Sequence, residues 1–121
     1  MTETKPSDIC QVRCFNTELV TQVNEALPED NLLENAQILF GALADKSRLK
    51  ILYALSDGKE LCVCDVAFLL EVKIASASHH LRKLRDLKIL KYRNDGKLAY
   101  YSLKDQRVAN ILRHALKQLI E

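Results

Sequence analysis

Between Cys64 and Ser102 the hydrophobic period changes twice, and few folds accommodate both changes. A first helical pattern covers about residues 64–70, with Val66, Ala67, Leu69 and Leu70 apolar, and Glu71-Val72-Lys73 breaks it. A second pattern covers about residues 75–87. It sets Ala77, Leu81, Leu84 and Leu87 on one face and leaves Ser76, Ser78, His79, Arg82, Lys83 and Arg85 largely outward. After Leu90 the period shortens. Lys91-Tyr92-Arg93 and Leu98-Ala99-Tyr100-Tyr101-Ser102 are short aromatic-rich runs around Asn94-Asp95-Gly96-Lys97. Asp-Gly between two such runs is a hairpin signal. Two helices joined by a tight break form a helix-turn-helix, and a hairpin directly behind the second helix is a wing.

The flanks read as helix. Residues 1–16 lack apolar periodicity and are expected to form an arm, with residues 17–121 as a single winged-helix and dimerisation domain. A first helix is expected over 17–27, where Leu19, Val20, Val23 and Leu27 recur at helical spacing before Pro28. Asp30 or Asn31 can cap the next, which carries Leu33, Ala36, Leu39, Phe40 and Leu43. Asp45 can cap a third, with Leu49, Ile51, Leu52 and Leu55, and Asp57-Gly58 ends it. From Asp105 onward Val108, Ile111, Leu112, Ala115, Leu116 and Leu119 form a stripe wider than one small core covers, which predicts a dimer interface. The expected fold class is mainly α with one β-hairpin: a homodimeric winged helix-turn-helix.

Charge is distributed unevenly although the net value is only +2. Residues 1–45 carry two basic and eight acidic side chains, whereas residues 73–97 carry eight basic and two acidic. Cations gathered on the presumed reading helix and wing suit a phosphate backbone, and a solvated helix face is the plainer alternative. The reading helix then offers Ser76, Ser78, His79, Arg82, Lys83 and Arg85 to double-stranded DNA, and the wing offers Arg93 and Lys97 to its backbone or minor groove. Tyr92, Tyr100 and Tyr101 are expected to pack the hairpin. No stretch approaches a membrane span and no basic-then-apolar leader opens the sequence, so a cytoplasmic protein without a membrane partner is expected. No nucleophile–base constellation or phosphate loop appears, which argues against an enzyme, a small-molecule substrate or an organic cofactor.

Four cysteines remain: Cys10 and Cys14 in the arm, and Cys62 and Cys64 beside the helix-turn-helix. Structural disulfides are rare in the cytosol, so the choice lies among metal ligation, buried inert thiols and a redox switch. Four thiolates suit Zn²⁺, Cd²⁺, Pb²⁺ or Cu⁺ and not Mg²⁺ or Ca²⁺. Neither Cys10-x3-Cys14 nor Cys62-x-Cys64 has the paired spacing of a zinc ribbon. Side chains two apart on a regular helix diverge by about 200°. Cys62 and Cys64 can therefore share an ion only if their segment is extended or just entering a helix, where a helix N-terminus also favours thiolate.

Three segments carry a family resemblance. Glu60-Leu61-Cys62-Val63-Cys64-Asp65-Val66 resembles the metal box of the ArsR/SmtB metal-sensing repressors. Ala75-Ser76-Ala77-Ser78-His79-His80-Leu81-Arg82-Lys83-Leu84 resembles their reading helix, and Leu43-Ala44-Asp45-Lys46-Ser47-Arg48-Leu49-Lys50-Ile51-Leu52 the segment before it. The likeness spans about residues 36–118 and, with the arm cysteines, is greatest to the cadmium- and lead-responsive, CadC-like branch. It implies a homodimeric repressor of metal efflux or sequestration genes that binds operator DNA without metal. Cd²⁺, Pb²⁺ or Zn²⁺ then acts as inducer, bound by Cys10 and Cys14 of one subunit with Cys62 and Cys64 of the other. A redox-gated regulator and a purely structural zinc are the competing readings. The family's zinc sensors carry a second site on the last helix, at positions that fall here on Asp105, Arg107, Gln118 and Glu121. A permanent guanidinium cannot ligate, and His114 lies off the pattern, so that site is expected to be absent.

Overall fold

The computed structural model describes residues 16–120. The chain divides after Leu33 into two units. In the first, helix α1 (Thr17–Ala26) is capped by Asn16, whose Oδ1 accepts the Leu19 N–H at 3.0 Å. None of its side chains is buried, and Leu19, Val20, Val23 and Leu27 stand exposed. The division falls within α2 (Asp30–Leu43), whose later part belongs to the second unit and contributes Ala42, Leu39 and Leu43 to its core.

The second unit is built as the changing periods predict. Helix α3 (Lys46–Ala54) begins at Asp45, whose Oδ2 accepts the Arg48 N–H at 3.0 Å. It ends at Ala54, and a 3₁₀ turn over Ser56–Gly58 follows, with Asp57 and Gly58 both at positive φ. Strand β1 (Leu61–Cys62) leads into α4 (Val63–Leu70), and α5 (Ile74–Asp86) follows after three residues. Both helices close alike. Glu71 takes the left-handed conformation after α4 and the Val72 N–H reaches back to the Ala67 carbonyl at 3.1 Å. Lys88 does the same after α5, with the Ile89 N–H on the Leu84 carbonyl at 3.0 Å.

Strands β2 (Leu90–Asp95) and β3 (Leu98–Leu103) form the hairpin, and α6 (Gln106–Leu119) completes the chain. Gly96 supplies φ +62° at the first of the two turn positions, and Lys97 has no positive φ, the pattern of a type II′ turn. The wing is wider than the expected hairpin, because β1 pairs antiparallel with β3 to give a three-stranded sheet in the order β1-β3-β2. A two-residue strand carries too little pattern to be seen in a sequence. Ile51, Leu52, Leu55, Val66, Ala77, Leu81 and Leu84 are wholly buried and meet Leu90, Tyr101, Leu103, Ala109 and Leu112 in one core. Leu87 is only half-buried and so packs less than its place in the pattern suggested. Tyr92, although exposed, packs the hairpin as expected, its ring centre 5.8 Å from that of Tyr101 across the strands. Among the described residues no helix is long and apolar enough to cross a membrane.

The Asp45 cap yields a prediction. Its carboxyl lies below the ordinary 3.8, chiefly because the Arg48 backbone N–H donates to it. A depressed carboxylate stabilises the fold above its unfolded value and loses that contribution as pH falls through the folded value. Asp45→Ala should therefore lower stability by about 1 kcal/mol at pH 7. In thermal melts the gap from wild type should narrow steadily as pH falls from about 5 to 3.

Candidate metal and nucleic-acid site

Cys62 ends β1 and caps α4, with φ −87° and ψ 172°, while Cys64 already lies in the first helical turn. The pair thus straddles a strand–helix junction, which is the condition for its side chains to escape the divergence of a regular helix. Asp65 closes the junction: its Oδ2 accepts the Cys62 N–H at 3.0 Å and the Cys62 thiol at 3.3 Å. This is a capping box built from Cys and Asp in place of the usual Ser or Thr and Glu. Sequence reading did not single out Asp65, although a carboxylate three residues after a candidate cap was the available signal. Cys62 is buried, Cys64 is exposed, and both are free thiols.

Cys10 and Cys14 lie outside the described residues, as does Glu121. Among the described residues no three His, Cys, Asp or Glu side chains gather to hold a metal. Cys62 and Cys64 supply two soft donors, half of a four-thiolate set, so their chemistry fits a soft ion provided that two further thiols reach them.

The sheet links this junction to the wing. In register, Cys62 pairs with Tyr100 and Tyr100 with Arg93, so the three form one row across β1, β3 and β2. Leu61, Tyr101 and Tyr92 form the next row, on the opposite face. The Arg85 guanidinium of α5 lies 5.5 Å from the Tyr92 ring centre, and that of Arg93 lies 4.9 Å from the Tyr100 ring centre. Arg93 also grips Glu60 with two hydrogen bonds, Nε to Oε2 at 2.8 Å and Nη2 to Oε1 at 3.0 Å. That bond lowers the Glu60 carboxyl and raises the arginine.

On α5 the side chains divide as expected. Ala77, Leu81 and Leu84 are buried, Ser76, His79, Arg82 and Lys83 are exposed, and Ser78 and Arg85 are half-buried. His79, Arg82, Lys83, Asp86 and Leu87 line an open groove of about 440 Å³ along the helix. The Arg82 Nε–H donates to the Ser78 carbonyl at 3.3 Å, and Arg85 pairs with Asp86 at 3.2 Å. Lys97 is exposed at the wing tip. On α6, Asp105 is the N-cap and accepts both the Arg107 N–H at 2.9 Å and its Nε–H at 2.8 Å, which lowers the Asp105 carboxyl. His114 is exposed and nine residues further on, about 13 Å along the axis, so the two cannot share an ion within one chain.

The model of "Bacterial regulatory protein, arsR family" matches residues 45–92, from the α3 cap through the wing's first strand. The chain is 45% identical over 108 residues to a Staphylococcus aureus protein described as a "Cadmium resistance transcriptional regulatory protein CadC homolog", covering 89% of this chain and 88% of that one. The chain belongs to the ArsR family. Solved structures agree on the fold. HlyU from Vibrio cholerae superimposes with TM-score 0.69 at 27% identity, covering 74% of this chain and 97% of that one. A homodimeric winged helix-turn-helix domain from Mycobacterium bovis, described as a possible ArsR-family regulator, does so with TM-score 0.62 at 30% identity, covering 78% and 87%. The chain is therefore a winged helix-turn-helix transcriptional regulator and not an enzyme, as its residues suggested.

The junction geometry can be checked chemically. Under limiting iodoacetamide, native protein should be alkylated at Cys64 well before Cys62, because Cys62 is buried and its thiol is hydrogen-bonded to the Asp65 carboxylate. Peptide mass spectrometry reads the order, and equal or reversed rates would contradict the capped arrangement.

Proposed function

We propose that this ArsR-family member is a cytoplasmic, homodimeric, metal-responsive repressor that holds operator DNA when metal-free and releases it when Cd²⁺, Pb²⁺ or Zn²⁺ binds Cys10, Cys14, Cys62 and Cys64. The observation that carries the reading is the seat of Cys62 and Cys64 at the β1–α4 junction. There one side continues into the sheet that bears the wing, and the other into the helix packed against α5. A bound soft ion would supply fixed thiolate geometry at that junction. The chain's own residues do the rest. Ser76, Ser78, His79, Arg82, Lys83 and Arg85 present hydroxyls and cations from α5, and Arg93 and Lys97 do so from the wing. A coupling of about 1–3 kcal/mol between the two sites is typical of such switches.

Two further observations support it. The Staphylococcus aureus relative is named for cadmium resistance. On α6 and at its C-cap, Ile111, Leu116, Leu119 and Ile120 remain exposed beyond the buried Val108, Ala109 and Leu112, as a helix that also serves a subunit interface requires.

The reading is tested by anisotropy of a labelled duplex from the protein's own promoter, in reductant, titrated with Cd²⁺ and then with chelator. Binding by metal-free protein, release by Cd²⁺ and restoration by chelator are expected. Release reversed only by reductant would favour redox gating, and binding that needs metal would favour structural zinc. Cys62→Ser should abolish release while keeping metal-free DNA binding within a few-fold, since Ser serves as an N-cap at least as well. Arg107→Ala should leave Cd²⁺-driven release unchanged, because the Asp105–Arg107 pair lies outside the cysteine site. Abolished release in that variant would mean that the last helix takes part.

A further inference from the structure

Glu60 and Arg93 stand 33 residues apart, yet they form a two-bond, fork-to-fork ion pair. Three features set this pair apart from an ordinary surface contact. First, the guanidinium is placed before any ligand arrives: one face lies over the Tyr100 ring, so its edge is the side left for an acceptor. Second, the surroundings are cationic. Glu60 shares an open groove of about 490 Å³ with Lys91, Arg93 and Lys104, and among the described residues that line it Glu60 is the one carboxylate. Third, Glu60 lies two residues ahead of Cys62, on the segment that enters β1, whereas Arg93 is on the wing strand two residues before Asp95, whose Oδ2 is 3.9 Å from it.

A carboxylate and a phosphate offer a guanidinium the same thing, two anionic oxygens in a plane that matches its fork. The wing strand runs on to an exposed tip bearing Lys97, so its cations face solvent. We propose that Glu60 is a positioning residue for DNA binding: in the free protein it occupies Arg93 as an internal surrogate for a phosphate, and operator binding exchanges the carboxylate for a backbone phosphate oxygen. The inference rests on the reading of Arg93 as a DNA contact. The clasp holds the guanidinium in a binding-ready orientation, and it also weakens DNA binding, because the pair must open first. Glu60 therefore sets how tightly the wing grips.

A double-mutant cycle tests the exchange on full-length, metal-free protein, with anisotropy of a promoter duplex over a series of salt concentrations. Arg93→Ala should weaken binding and reduce the log–log salt slope by about 1 for each phosphate that is no longer neutralised. Glu60→Gln should tighten binding by about two- to fivefold per wing, the range an exposed ion pair spans. In the Arg93→Ala background, Glu60→Gln should change nothing. The same gain in both backgrounds would mean that Glu60 merely repels DNA, and would overturn the exchange. So would Glu60→Gln that weakens binding or leaves it unchanged. If Arg93→Ala itself leaves affinity and slope untouched, the role of Arg93 in DNA binding falls, and the exchange with it. The wild-type chain provides a readout free of mutation: the Arg93 Nε–H resonance should shift when duplex is added, and an unmoved resonance would overturn the proposal.

Discussion

Two backbone pairings, Leu61 with Tyr101 and Cys62 with Tyr100, hold the second unit's working parts in one frame. A two-stranded hairpin is marginal in water by itself, and β1 makes β3 a central strand with neighbours on both sides. The same two residues set where α4 begins, since Cys62 is both the last residue of β1 and the cap of the helix. Helix α4 packs on α5, and α5 on β2. The ring of packing therefore closes: sheet to α4, α4 to α5, α5 back to the sheet. Any change in how Cys62 and Cys64 are held acts on a closed ring of packed elements, and not on a free loop.

The polar contacts reinforce that ring. Arg85 ties α5 to Tyr92, Arg93 ties Tyr100 to Glu60, and Arg113 ties α6 to Asp57 at 2.6 Å. Each guanidinium bridges separate elements of the fold, which suits its planar shape better than the point charge of an ammonium. The lysines behave differently. Lys83, Lys91 and Lys97 are exposed on the reading helix and wing, and ammonium groups in that setting are suited to phosphates through charge alone. Arginines thus set the geometry of the basic surface, and lysines extend it.

Helices were legible in the sequence because their signals are local, but not every cap was. Helix α2 already begins at Asp30, and the Glu29 carbonyl accepts the Leu33 N–H at 3.1 Å, so neither Asp30 nor Asn31 caps it. Asp45 caps as its position ahead of an apolar stripe suggests, helix resumes after Asp105 as expected, and the break at Glu71-Val72-Lys73 falls where α4 ends. Three features were not legible, each for a physical reason. Strand β1 is two residues long, and its existence depends on β3 lying alongside, which no local pattern encodes. The turns after α4 and α5 use Glu71 and Lys88 at positive φ, where no Gly marks the site. The Glu60–Arg93 clasp joins residues whose separation only the folded sheet removes. The candidate site was legible in its residue types, because two closely spaced cysteines beside a helix-turn-helix limit the chemistry. Its capped geometry was not, since Asp65 reads as one more acidic residue until the Cys62 N–H is seen to point at it.

Helix α6 shows how one element meets two demands. Val108, Ala109 and Leu112 are buried beside α3, which settles one side of the helix. Ile111, Leu116, Leu119 and Ile120 are left outside that contact, and Tyr53, His114 and Lys117 edge the groove beside them. Leaving that much aliphatic surface in water opposes solubility and contributes nothing to the subunit's own core. A monomer under no other constraint would carry polar residues there, as the outer face of a surface helix ordinarily does. A second apolar surface against α6 would account for this composition. In the proposed homodimer the last helix would then be the element through which one subunit's core meets its partner, while the sheet and α5 stay free for DNA.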